Sequence, residues 1–128
     1  MGLFGSIFGS KEAKEEKSLP WIPINAEGQL QEIKERSRIR PQFIFKHSTT
    51  CGISRMVINQ FTDAYSFTEN DVDLYYLDLL NYREVSNEVG YKFQVLHQSP
   101  QLLVIKNGVA VAHESHGAIN SLDLERYQ

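Results

Sequence analysis

Residues Leu74-Tyr75-Tyr76-Leu77-Asp78-Leu79-Leu80 are apolar on both faces of an extended chain. A strand hides both faces only in the middle of a sheet that is covered on either side, the situation of parallel strands in α/β proteins. The run therefore predicts helices before and after it, and the neighbouring sequence supplies them. Upstream, Ile53, Met56, Val57, Phe61 and Ala64 recur at helical spacing. Downstream, Tyr82, Val85, Val89 and Phe93 do the same, and Asn81 with Glu84 resembles a capping box.

The remaining elements fall around this centre. Gln42 to Lys46 is a strand by composition. Asn107-Gly108, between Gln101–Lys106 and Val109–His113, is the strongest short-range signal for a hairpin. Leu19-Pro20-Trp21-Ile22-Pro23-Ile24 carries two prolines that confine it to a sheet edge, with Trp21 over the rim of the core. Asn25 is placed to cap a helix from Ala26, with Leu30 and Ile33 as a thin apolar face ending before Pro41. Ile119 to Tyr127 reads as a short closing helix with Ser121 as its cap. The order is strand, helix, strand, helix, strand, helix, two-stranded hairpin, helix. The expected fold class is α/β, with parallel βαβ units and an antiparallel hairpin at one edge.

A chain of 128 residues is long enough for one domain with a core of its own. That domain is expected over 19–128, behind a flexible tail at 1–18 made of a Gly/Phe-rich half and a charged half. Gly2 with Ser6 formally matches an acylation signal, a weak match beside the reading of a frayed terminus. A net charge of −3, with no Lys/Arg stripe among aromatics, makes no case for nucleic acid as a partner. The longest aliphatic run, Leu102-Leu103-Val104-Ile105, is too short for stable membrane insertion, and no signal peptide is read. A single cysteine closes no internal disulfide, so a reducing, cytoplasmic setting is expected.

That cysteine, Cys51, follows the polar turn Ser48-Thr49-Thr50 at the point where helical spacing begins. Unpaired backbone N–H groups and the helix dipole favour negative charge there, and so favour the thiolate. Lys46, His47 and Arg55 are the nearby cations that could stabilise it. A free cysteine is otherwise most often a buried filler, but this one lies in a polar turn. Cys51-Gly52-Ile53-Ser54 has the spacing of a two-cysteine redox motif with serine in the second position. Serine can donate a hydrogen bond to the thiolate but cannot close a disulfide, so any exchange needs an external thiol.

The element order, the thiol at the start of the second helix, and Ser99-Pro100 ahead of a hairpin strand together resemble the thioredoxin fold, a central mixed sheet of four to five strands flanked by helices. Within it, Phe45-Lys46-His47-Ser48-Thr49-Thr50-Cys51-Gly52-Ile53-Ser54 resembles the YtxJ-like monothiol bacilliredoxins, small bacterial proteins with a Thr-Cys-Pro-Ile-Ser signature. The similarity covers roughly 19–128. It implies a cis Pro100 facing Cys51, with the chain before it pairing with the substrate backbone. Thr50, Gly52, Ser99 and Pro100 would then bind substrate, with Cys51 and Ser54 catalytic. The implied activity removes bacillithiol from proteins that carry it as a mixed disulfide. The partners are S-thiolated proteins and the small thiol itself as co-substrate, with no bound cofactor. Gly52 departs from the family proline, which leaves a second reading in which the chain is an adaptor or a redox sensor with weak turnover.

Other constellations are weaker. His113-Glu114-Ser115-His116 is an incomplete ligand set, and no metal is expected. Asp71, Asp73 and Asp78 are placed for turn and strand-edge roles. No Gly-x-Ser-x-Gly turn, glycine-rich phosphate loop or dinucleotide fingerprint is present.

Overall fold

The computed structural model describes residues 17–128; the expectations for the tail and its acylation signal lie outside the described residues, apart from Lys17 and Ser18. Its elements are β1 (Ile22–Pro23), α1 (Gly28–Arg36), β2 (Gln42–His47), α2 (Gly52–Ala64), β3 (Asp73–Asp78), α3 (Arg83–Phe93), β4 (Gln101–Lys106) and β5 (Val109–Ser115). Two 3-10 turns, His116–Ser121 and Leu124–Tyr127, follow. The strands form one mixed sheet in the order β1-β3-β2-β4-β5. β3 runs parallel to both β1 and β2, while β4 pairs antiparallel with β2 and β5.

The central strand is β2, and all six of its residues are buried. Because successive side chains point to opposite faces, it divides the core in two. Phe43 and Phe45 join Val57, Phe61 and Leu74 on the face covered by α2 and the first 3-10 turn. Ile44 joins Leu30, Ile33, Val85 and Val89 on the face covered by α1 and α3. The two prolines keep β1 to two residues at the edge, where Trp21 packs edge-on to Phe45 and Tyr76 at centroid distances of 6.0 and 5.6 Å. Asn107 and Gly108 take φ of 53° and 85°, the left-handed pair that a tight hairpin turn requires.

The three expected caps are absent. The first helix starts at Gly28, not Ala26, and Asn25 does not cap it. Gln29 reaches back instead: its Oε1 accepts from the N–H groups of Asn25 and Ala26 at 2.7 and 3.1 Å, and its Nε2 donates to Pro23 O. Tyr82, not Asn81, precedes α3, and the Asn81 side chain turns to Asp78, its Nδ2 donating to Asp78 Oδ2 at 2.8 Å. The closing segment is two 3-10 turns and not one helix, with Ser121 ending the first. Its apolar residues Ile119, Leu122, Leu124 and Tyr127 all pack on one cluster, and a spacing near three keeps them on one side of a 3-10 turn.

The end of the sheet opposite Cys51 is held by Asp73, whose carboxylate accepts from Arg36 Nε at 2.8 Å and Gln42 Nε2 at 2.7 Å. Tyr75 in turn donates to Gln42 Oε1 at 2.8 Å. No helix among the described residues is long and apolar enough to cross a membrane.

Phe45 links β2 to α2 through Phe61, at a centroid distance of 5.1 Å, and to the edge through Trp21. Phe45→Ala is expected to lower unfolding free energy by about 3–5 kcal/mol. A denaturant midpoint close to wild type would show that the β2–α2 contact is not what joins them.

Candidate active site

Cys51 is the residue that converts strand into helix. β2 ends at His47, the chain turns through Ser48-Thr49-Thr50, and the Cys51 N–H donates to Ser48 O at 3.2 Å. Cys51 itself is extended, with φ −101° and ψ 123°, and occupies the N-cap position of α2. The first hydrogen bond of the helix runs from the Arg55 N–H to Cys51 O at 3.0 Å. The N–H groups of Gly52, Ile53 and Ser54 therefore lie ahead of the helical ladder, at its electropositive end. The thiol is free and half-buried.

Ser54, one turn on, is fully buried. Its Oγ accepts the Ser48 N–H at 3.1 Å and lies 2.8 Å from His47 Nδ1. These bonds tie the first turn of α2 to the end of β2, a pairing that the sequence reading missed when it aimed Ser54 only at Cys51. The two roles are linked through the imidazole. With the proton on Nδ1, the ring donates to Ser54 and leaves the hydroxyl hydrogen free for a thiolate. With the proton on Nε2, the hydroxyl hydrogen is committed to the ring. Burial pushes the His47 imidazole below its ordinary value, and the Arg55 guanidinium adds to this, while Asp78 acts the other way.

Arg55 is exposed and folds back over the turn, its Nη1 donating to Thr49 O at 3.4 Å. Thr50 and Gly52 are exposed beside the cysteine. The Ser99-Pro100 bond is cis. Lys46 pairs with Gln101 in the β2–β4 register, so Pro100 stands beside the end of β2, at the same end of the sheet as Cys51. Pro100 O accepts the His116 N–H at 3.0 Å, which anchors this loop to the residue after β5.

Lys46 requires a correction. It precedes His47, so strand alternation turns it to the opposite face of the sheet, toward α3. Its ammonium donates to Ser86 O at 3.0 Å and meets His97 Nδ1 at 3.1 Å, and the side chain is fully buried. Of the three expected cations, His47 and Arg55 are at the Cys51 end of α2 and Lys46 is behind the sheet. The signal was present in the sequence: Lys46 shares its parity with Ile44, not with Phe45.

A family model described as monothiol bacilliredoxin BrxC matches residues 22–124. A solved structure described as a candidate oxidoreductase with a thioredoxin fold is 33% identical and superposes with a TM-score of 0.69, covering 83% of this chain and 91% of its own. The thioredoxin of Malassezia sympodialis is 17% identical with a TM-score of 0.63, covering 82% and 88%. Thioredoxin O2 from Arabidopsis thaliana is 22% identical with a TM-score of 0.59, covering 84% and 95%. The last two are alike in fold.

Gly52 is the first helical residue of α2, and a Cβ built there meets nothing within 4 Å. The extended Cys51 already has the conformation that a following proline demands. Gly52→Pro is therefore expected to raise stability by about 0.5–1 kcal/mol, through a smaller unfolded ensemble. A lower denaturant midpoint would mean that the Gly52 N–H or its conformational freedom is needed here.

The lowered His47 value also sets a pH dependence. The unfolded imidazole takes up its proton near 6.5 and the folded one only at lower pH. Stability is accordingly lost as pH falls from about 6.5 through the folded value, and levels off below it. His97 is shifted the same way. Comparing denaturation midpoints near neutrality and at mildly acid pH, His47→Asn should show a shallower loss than wild type. Equal slopes in the two proteins would rule out His47 as a source.

Proposed function

Since the chain belongs to the monothiol bacilliredoxin family, with a thioredoxin fold and a thiol redox function, we propose that it is a thiol-disulfide oxidoreductase that removes a small thiol from S-thiolated proteins. The observation that carries this reading is the placement of a free, half-buried Cys51 as the N-cap of α2, at the C-terminal end of the central strand and in a chain without a second cysteine.

The Cys51 thiolate attacks the small-thiol sulfur of the protein mixed disulfide. A bond forms between Cys51 Sγ and that sulfur, the bond to the target's sulfur breaks, and the target leaves as a thiolate that takes a proton from water. A second molecule of the small thiol, as its thiolate, then attacks the capped Cys51. This releases a symmetrical small-molecule disulfide and restores the Cys51 thiolate. One protein mixed disulfide and one free thiol are consumed, and one protein thiol and one small disulfide are produced.

The N–H groups of the first turn of α2 offer charge stabilisation to the attacking sulfur. The Ser54 hydroxyl is one turn away, with its proton governed by His47. Thr50 and Gly52 flank the thiol in sequence and Ser99-Pro100 lies at the same end of the sheet, and these are the proposed substrate contacts. Bacillithiol is the small thiol suggested by family membership, and the cytoplasm of a bacterium that makes it is the proposed setting.

The test supplies a protein–bacillithiol mixed disulfide with excess bacillithiol and measures release of the target thiol. Many turnovers per protein molecule are expected, and Cys51→Ser should lower the rate by about three orders of magnitude or more. One equivalent captured on Cys51 with no further release would replace the enzyme with a redox sensor. No capture at all, with Cys51 no more reactive toward an alkylating agent than a free cysteine, would leave the adaptor reading.

A further inference from the structure

The strand alternation that turns His47 toward α2 buries the neighbouring Lys46 on the other side of the sheet, without exposure to solvent. Among the described residues the ion pairs are those of Asp73 with Arg36 and Arg40, and none neutralises Lys46. The groups that face it are few. α3 contributes Ser86, and the cationic Arg83 at its start acts on His97; the loop before β4 contributes His97; its neighbours on β3 and β4, Leu77 and Gln101, carry no charge. An unpaired buried ammonium weakens a fold, and an apolar side chain of similar volume is often neutral or stabilising in its place. Stability alone therefore does not account for this lysine.

Its hydrogen bonds do. An ammonium only donates, so at 3.1 Å His97 Nδ1 must accept, and the ring is held with its proton on Nε2. Gln101, directly across from Lys46 on β4, donates from Nε2 to Leu96 O at 3.0 Å. Two adjacent buried side chains thus grip consecutive residues, Leu96 and His97, of the segment that runs into Ser99-Pro100. The other ammonium contact, to Ser86 O, fixes this grip to the body of α3.

We propose that Lys46 is a positioning residue for the substrate-binding loop: through His97 it holds the 96–100 segment, and with it the edge at Ser99-Pro100, in register beside Cys51. Leu96, His97 and Gln98 are exposed, so these hydrogen bonds and not their own packing hold the start of the segment, whose other end is held by the buried Pro100 and its bond to the His116 N–H. Burial pushes the Lys46 amine down to about 8, which agrees with an ammonium that has only neutral partners. Lys46 and Arg83 in turn add to burial in holding His97 below its ordinary value. The catalytic consequence builds on the proposed thiol-release activity; the grip itself does not depend on it.

The test uses Lys46→Met and His97→Ala in the full chain. In wild type, nitrogen NMR of His97 should report the Nε2–H tautomer across the neutral range. In Lys46→Met, which should remain folded, the ring should become a tautomer mixture and titrate closer to 6.5. Backbone nitrogen relaxation of residues 96–99 should report greater motion in both variants. In the thiol-release assay, either variant should raise KM for the protein mixed disulfide by about tenfold, the scale of one lost hydrogen bond to a charged group. The rate constant kcat and the alkylation rate of Cys51 should stay close to wild type. The double variant should be no worse than either single one, as for two parts of one contact.

An Nδ1–H tautomer in wild type, or an unchanged His97 signal in Lys46→Met, would overturn the grip. Failure of Lys46→Met to fold would leave the decision to exposed His97, where an unchanged KM in His97→Ala overturns the proposal. Absence of turnover in wild type would instead count against the thiol-release reading, while the NMR results still decide the grip.

Discussion

The constraint on which the rest of the structure depends is that β2 has no free side. β3 and β4 take its backbone hydrogen bonds on either edge, and helices cover both of its faces. Every side chain from Gln42 to His47 is buried, so each must find a partner on one face or the other. For the phenylalanines and Ile44 that partner is apolar packing. For the three polar residues it has to be a hydrogen bond, because an unpaired buried polar group is costly. Gln42 finds Asp73 and Tyr75, Lys46 finds Ser86 and His97, and His47 finds Ser54.

These three pairings connect strand architecture to chemistry. Gln42 locks the end of the strand remote from the cysteine. Lys46 and His47, adjacent in sequence and opposite in direction, lie at the reactive end. His47 ties the strand to the first turn of α2, so the backbone around Cys51 is anchored through a group that titrates. Lys46 ties it to the loop before β4 that carries Ser99-Pro100. Cys51 lies just beyond this end of β2, and its surroundings are set by how a strand ends and a helix begins. The family match and the superposed thioredoxins agree with this fold.

Much of this was legible in the chain. The doubly apolar 74–80 run, the helical spacing after Cys51 and the Asn107-Gly108 turn placed β3, α2 and the hairpin, since each depends on a local period or a local φ requirement. The capping residues were read less well. Asn25 and Asn81 have the right chemistry for caps, yet Gln29 serves the N–H groups near the first, and Asp78 draws away the amide of the second. Several side chains near a helix end can satisfy the same donors, and sequence offsets do not say which one arrives. The closing segment failed for a related reason: Ile119, Leu122, Leu124 and Tyr127 suit any turn that turns them all to one cluster, and the space over α2 admitted 3-10 turns.

What the sequence by itself determined was the set of elements and the reactive atom. An α/β order, one cysteine at a strand-to-helix junction and a proline ahead of the hairpin all follow from local patterning, and no tertiary contact could supply a second cysteine thiol. Only the folded structure decided which polar groups share an environment. His47 with Ser54, Lys46 with His97, and Gln101 with Leu96 are pairings between elements, fixed by sheet register and by the alternation of side chains across it. A one-residue change of direction along β2 separates a histidine that faces the helix of the thiol from a lysine buried behind the sheet. In the sequence both stand as candidate cations beside the thiol, and only the pleat of a strand enclosed on every side assigns them different partners.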